Sequence, residues 1–200
     1  MAKYTFKRYE LKYLLTEEQK NLLVSILSDY MILNKFAFST IRNIYYDTDN
    51  FRLIRHSLEK PIYKEKLRIR SYKQVTNTDN IFVELKKKYD GIVYKRRLEL
   101  PVIEIYNWFN LHLTYPLTQI GREINCTFNF DDNLKPKMFI SYDREAYQGI
   151  LDPEFRITFD SSITARLNDL SLESDIYGLQ LLNDNIYLME VKTTDSLPLW

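Results

Sequence analysis

Lys64, Lys66, Arg68 and Arg70 stand at every second position of one segment, with Leu67 and Ile69 between them. In an extended chain that spacing puts four cations on one face and the apolar residues on the other. The alternation recurs. Glu84, Lys86 and Lys88 share a face, Arg97 and Glu99 alternate with Leu98 and Leu100, and Arg156, Thr158 and Asp160 alternate with Ile157 and Phe159. Glu10 and Lys12 flank Leu11, Glu190 and Lys192 flank Val191, and Arg144 follows the strand-like Met138 to Tyr142.

Two arrangements satisfy such a pattern. Each charged face can be the solvated side of an antiparallel sheet. That arrangement leaves the recurrence of Glu-x-Lys at Glu10/Lys12, Glu84/Lys86 and Glu190/Lys192 unexplained. The other is a closed barrel with a charged interior; eight strands enclose room for side chains or one small ligand. Inward lysines and arginines repel one another and are poorly hydrated unless an anion joins them. A polyanion of phosphates meets that need, because guanidinium forks bind phosphate oxygens in pairs and ammonium groups add point charges. The sparser carboxylates suit a hard divalent cation that also takes phosphate oxygens.

Positioning these side chains requires many strands and few helices. Strands are expected over 4–14, 41–47, 62–73, 80–88, 92–100, 137–147, 154–160 and 185–193. Asp90-Gly91 supplies a tight hairpin turn between two of them. Thr16 with Gln19 forms a capping-box pattern ahead of Leu22, Leu23, Ile26 and Leu27. Shorter helices are expected over 49–58 and 118–130, and after Pro101 through Val102, Ile105, Trp108 and Phe109. The βαβ alternation of a parallel doubly wound fold is missing. The expected class is α+β, mainly antiparallel β: an eight-stranded closed tunnel barrel with peripheral helices, in one domain over 1–200.

The chain has 200 residues, with 28 Lys plus Arg against 27 Asp plus Glu, for a net charge of +1. That balance argues against coating nucleic acid through bulk charge. It hides an uneven distribution: from Arg55 to Arg97 there are 13 basic and 5 acidic residues. One cysteine, Cys126, makes no internal disulfide and is expected to be a buried structural residue in a reducing compartment. No apolar run approaches the ~20 residues of a membrane span. The opening residues lack a signal peptide's apolar stretch, so a cytoplasmic location is expected.

The charged stretches, taken in order, resemble the triphosphate tunnel metalloenzyme (CYTH-like) superfamily, and within it the VTC domain. That domain is the polyphosphate polymerase domain of the vacuolar transporter chaperone complex and its bacterial relatives. The stretches are RYELKYL from Arg8, IYYDT from Ile44, KLRIRSY from Lys66, VELKKK from Val83, YKRRLE from Tyr94, SYDREAY from Ser141, FRITFD from Phe155 and LMEVK from Leu188.

The resemblance implies a tunnel that binds ATP, triphosphate or polyphosphate and moves the γ-phosphoryl group of ATP onto a growing chain. It implies Lys12, Lys66, Arg68, Arg70, Lys86, Arg97, Arg144, Arg156 and Lys192 as phosphate-binding residues, with Arg68, Arg70, Lys86, Arg144 and Arg156 carrying the transfer. Glu190 is the implied principal ligand of Mn²⁺ or Mg²⁺, with Glu10 and Glu84 in support. Alternative activities on the same cradle are an inorganic or nucleoside triphosphatase and a non-catalytic polyphosphate sensor; an oligonucleotide-binding barrel is the weakest. Arg8 replaces the first glutamate of the superfamily's Glu-x-Glu-x-Lys start, as in the VTC branch. VTC domains continue past the Leu197-Pro198-Leu199-Trp200 region with a segment bearing a functional lysine. The expectation is that this chain is cut short there or lacks that lysine.

Other features point elsewhere. His56 and His112 lack zinc spacing, Asp131-Asp132 reads as a helix end or loop, and no Gly-rich phosphate loop is present. Lys87 alternates away from Lys86 and Lys88, which weakens a nucleic-acid patch, and no nucleic-acid partner is expected. Tyr45, Tyr46, Tyr72 and Tyr94 can stack on a base or pack, and packing is the expected role.

Overall fold

A computed structural model of the chain describes residues 5–6, 9–130, 134–194 and 197–198. Arg8, Asp131-Asp132, Leu199 and Trp200 lie outside the described residues. The elements in order are β1 (Thr5–Phe6), β2 (Tyr9–Thr16), α1 (Glu17–Leu27), β3 (Met31–Asp47), α2 (Arg52–Leu58), β4 (Tyr63–Ser71) and β5 (Asn80–Tyr89). They continue with β6 (Ile92–Pro101), α3 (Val102–Phe109), α4 (Gln119–Phe130), β7 (Lys135–Gly149), β8 (Arg156–Arg166), β9 (Leu179–Gln180) and β10 (Ile186–Thr193).

Local chemistry accounts for several boundaries. Thr16 and Gln19 form the capping box: Gln19 N donates to Thr16 Oγ1 at 3.2 Å, and Thr16 N donates to Gln19 Oε1 at 2.9 Å. Asp90 and Gly91 both take positive φ, 44° and 79°, in a two-residue turn between Tyr89 and Ile92. The helix expected from residue 49 begins at Arg52, because the Asp47 carboxylate accepts from Leu53 N at 2.8 Å and Ile54 N at 3.0 Å.

All strand pairs are antiparallel, in the order β1-β6-β5-β4-β3-β7-β8-β10-β2, with β9 added to β8. The α+β class with a mainly antiparallel sheet is as expected. Closure is not: among the described residues no ladder joins β1 to β2, the two ends of the path, so the curled sheet is not a barrel closed by hydrogen bonds. The N-terminal segment divides between the two edges, since β1 pairs with β6 through Phe6 and β2 pairs with β10 from Tyr9. Side chains also link the two ends of the sheet, with Lys86 Nζ on β5 at 2.8 Å and 3.1 Å from the Glu10 oxygens on β2.

The apolar strand faces point outward, beneath the helices. Leu67, Val83 and Leu85 pack with Trp108, Phe109, Ile124 and Phe128 in one core, and Ile157, Phe159, Met189 and Val191 pack with Leu27 and Met31 in a second. Burying each strand's apolar face against helices turns its charged face inward. Cys126, expected in the core, is exposed on α4, where Ile124, Thr127 and Phe128 take the inward positions. No helix among the described residues is long and apolar enough to cross a membrane.

Candidate functional site

The curled sheet encloses a cavity of about 1020 Å³. Every phosphate-binding residue named from the sequence lines it: Lys12, Lys66, Arg68, Arg70, Lys86, Arg97, Arg144, Arg156 and Lys192. Lys95 makes a tenth cation, against three lining carboxylates, Glu10, Asp160 and Glu190. Solvated outer faces are therefore not where these residues sit. Lys64 and Lys88, although at the same parity, do not line the cavity; Lys64 Nζ turns to Ser57 O at 3.4 Å, and Lys88 is exposed.

Strand register gathers the cations into rows. Lys66, Lys86 and Lys95 are cross-strand neighbours on β4, β5 and β6, and in the next row Arg68, Glu84 and Arg97 are neighbours. Glu84 is 1% exposed and sits behind the cavity wall. One of its oxygens accepts from Arg68 Nε at 2.9 Å and Arg68 Nη2 at 2.7 Å. The other accepts from Arg97 Nε at 2.7 Å and faces Lys95 Nζ at 2.8 Å. Burial alone would raise its pKa, but Arg68, Lys95, Arg70 and Arg97 hold the carboxyl far below the usual range.

Hydroxyls and amides orient the guanidinium groups further. Arg68 Nη1 donates to Tyr45 Oη at 2.8 Å, Arg70 Nε to Asn43 Oδ1 at 2.8 Å, and Arg97 Nη2 to Tyr72 Oη at 3.0 Å. Tyr46 packs in the core as expected, whereas Tyr45 and Tyr72 line the cavity. On the opposite wall Arg144 grips Asp160 with two bonds of 2.6 Å. Arg156, half-exposed, donates to Pro153 O at 3.2 Å.

The lysines carry the electrostatic stress. Burial lowers the pKa of Lys66, with Lys64, Lys86 and Lys12 pushing it further, and no carboxylate among the described residues pairs with it. Lys95 is pushed down to about 8 by burial, which Glu84 opposes and Arg97 and Arg68 reinforce. Lys192 is lowered by burial despite Glu190 beside it at 2.9 Å. A cavity of this composition is short of negative charge.

Glu190, 8% exposed, is held to about 2: burial would raise it, and Lys192, Lys12 and Arg144 overcome that. Its remaining charged neighbours are looser, Arg144 at 3.7 Å and Lys12 at 3.9 Å. No cluster of three or more His, Cys, Asp or Glu suited to a metal occurs among the described residues. A hard divalent ion bound with phosphates needs only one or two protein carboxylates, and Glu190 fits that role. Glu10, ionically paired to Lys86, lies on the neighbouring strand and fits as support. Glu84 fits it poorly, since both of its oxygens are occupied by cations.

Sequence reasoning passed over Lys95, although it shares the parity of Arg97, and over Asp160 as a site residue, although it shares the parity of Arg156. The tyrosine hydroxyls had no signal beyond their proximity to charged strands.

A curled antiparallel sheet around a cation-rich cavity, with its hydrophobic layers outside, defines a triphosphate-tunnel-type domain of CYTH-like architecture. The VTC domain family model matches residues 7–200, and the chain belongs to that family. A structure from Bacillus halodurans, provisionally named an adenylate cyclase, has the same fold at 18% identity and TM-score 0.59, covering 96% of this chain and 83% of that one. A second protein with that provisional name, from Vibrio parahaemolyticus, is 13% identical with TM-score 0.46, over 94% of this chain and 77% of that one. No curated protein matches the chain.

Proposed function

We propose that this domain is a polyphosphate polymerase: it binds the triphosphate of ATP in the basic cavity and transfers the γ-phosphoryl group onto polyphosphate. The observation that supports this most is the ten inward cations facing three carboxylates in one cavity. A triphosphate supplies the missing charge, and a chain of phosphates extends it along the tunnel. Phosphoryl transfer asks the protein mainly for positioning and charge neutralisation. Arg68 and Arg70 on one wall, and Arg144 and Arg156 on the other, supply guanidinium donors; Lys86 adds a mobile point charge. Carboxylates and hydroxyls behind them fix Arg68, Arg70 and Arg144, so little reorganisation is needed as charge shifts between phosphoryl oxygens. Glu190, supported by Glu10, would hold Mn²⁺ or Mg²⁺, which neutralises phosphate charge when bound.

The test is incubation with ATP and Mn²⁺, with products resolved by gel electrophoresis and free phosphate measured in parallel. A ladder of polyphosphate is expected. Free phosphate without a ladder would make the domain a triphosphatase. Tight tripolyphosphate binding with neither product would make it a sensor, and failure to bind tripolyphosphate would overturn the assignment of the cavity.

A further inference from the structure

Two of the most solvent-exposed aromatic side chains, Phe36 and Phe38 at 71% each, line the same cavity as the ten cations. They sit where β3 departs from its partner. Pairing with β7 runs from Leu33↔Tyr147 directly to Phe38↔Glu145, so β3 carries extra residues and bulges. The bulge is anchored: Phe36 N donates to Asn34 Oδ1 at 3.2 Å, and Asn34 Nδ2 donates to Gln148 Oε1 at 2.8 Å. Gln148 is in turn the ladder partner of Arg156. The two rings therefore stand within two strands of a phosphate-binding candidate.

Singly scattered exposed apolar residues are ordinary. A pair projected by an anchored bulge into the lining of a cavity that also holds ten cations is a different arrangement, because the two exposed rings and the cations face one space. A flat ring attached to a polyphosphate tail complements both parts, and base–aromatic stacking is tolerant of base identity. We propose that Phe36 and Phe38 form a stacking platform for the base of a nucleoside triphosphate whose phosphates occupy the cavity. The proposal rests on the phosphate-binding reading above and adds how a nucleotide is distinguished from a bare phosphate chain.

The experiment compares ATP and inorganic tripolyphosphate binding by calorimetry for the wild type, F36A/F38A and F36Y/F38Y, without divalent metal. In F36A/F38A, ATP affinity should fall roughly tenfold with tripolyphosphate affinity unchanged, and F36Y/F38Y should bind both as the wild type does. Unchanged tripolyphosphate binding also reports that the double variant is folded. Equal losses for both ligands, or no loss for either, would overturn the platform while leaving the phosphate site standing. A wild type that binds neither ligand would overturn the underlying reading, and the platform with it.

Discussion

Arg68 and Arg97 meet on opposite oxygens of one buried carboxylate, Glu84, which lies between them on the central strand of the β4-β5-β6 ladder. Glu84 thus pins two guanidinium groups in the cavity wall while Lys95 approaches at 2.8 Å and Arg70 at 3.9 Å. Removing one partner of a buried ionic network leaves the others uncompensated, at a cost of ~3–5 kcal/mol. E84Q should therefore lower the midpoint of urea unfolding markedly. Tripolyphosphate should restore part of that loss, because it supplies the charge that Glu84 provided. An unchanged midpoint would show that the four cations do not depend on Glu84.

Alkaline pH tests the lysines. Lys95 titrates at about 8 in the folded chain and near ~10.4 when unfolded. Between those values the unfolded chain binds more protons, so the stability of the empty protein should rise as pH rises from 8 towards 9.5. Lys66 and Lys192, also lowered, contribute with the same sign. Binding follows the opposite trend: a bound anion favours protonated Lys95, so tripolyphosphate affinity should lose the lysine's contribution as pH passes 8. The difference between wild type and K95M isolates that contribution from the ligand's own titration. A difference that does not vary with pH would remove Lys95 from the binding site.

The Lys86–Glu10 pair, which links β5 to β2, should matter more to ligand binding than to stability. Its side chains are 39% and 24% exposed, and pairs of that exposure contribute ~0–1 kcal/mol. Both K86M and E10Q should unfold close to the wild type. Without metal, K86M should bind tripolyphosphate about tenfold more weakly, equivalent to ~1.4 kcal/mol, and E10Q more tightly, since it frees an ammonium group and removes a repelling carboxylate. If E10Q loses that advantage when Mn²⁺ is added, Glu10 also supports the metal. A large destabilisation by either substitution would show that this ion pair, rather than the ladder, holds the curl.

Much of this architecture was legible because each strand carries two patterns at once. Alternation gave the strands and the shared face of Arg68, Arg70 and Lys86, but not which way that face points. Direction is decided by where the helices dock, and Trp108, Phe109, Ile124 and Phe128 cover the other face. The first ten residues of β3 were not recognised as strand, because its bulge around residues 34–37 breaks the parity that marks an extended segment. The depth of Glu84 was hidden for a related reason. Parity places it on the inner face, but only cross-strand register reveals an arginine on each side. The closed barrel was argued from charged faces recurring on many strands; closure depends on edge pairing, and among the described residues no ladder joins β1 to β2.

Glu190 carries the last test, because it separates metal from phosphate binding within one cavity. It faces Lys192 at 2.9 Å and two more distant cations, and its low pKa keeps it ionised throughout the neutral range. Without metal, E190Q removes a negative charge from a cavity that already lacks them, so tripolyphosphate affinity should rise or hold. With Mn²⁺ the wild type should gain affinity and E190Q should not, because the carboxylate that shares the ion with the phosphates is gone. Folding should survive at neutral pH, although the stabilisation contributed by ionised Glu190 is lost. In the wild type, that contribution is present above pH ~4.5 and declines as pH falls towards the folded value of about 2. Calorimetric titration of tripolyphosphate with and without Mn²⁺, on both proteins, gives four affinities. A Mn²⁺ gain that persists undiminished in E190Q would remove Glu190 from the metal site.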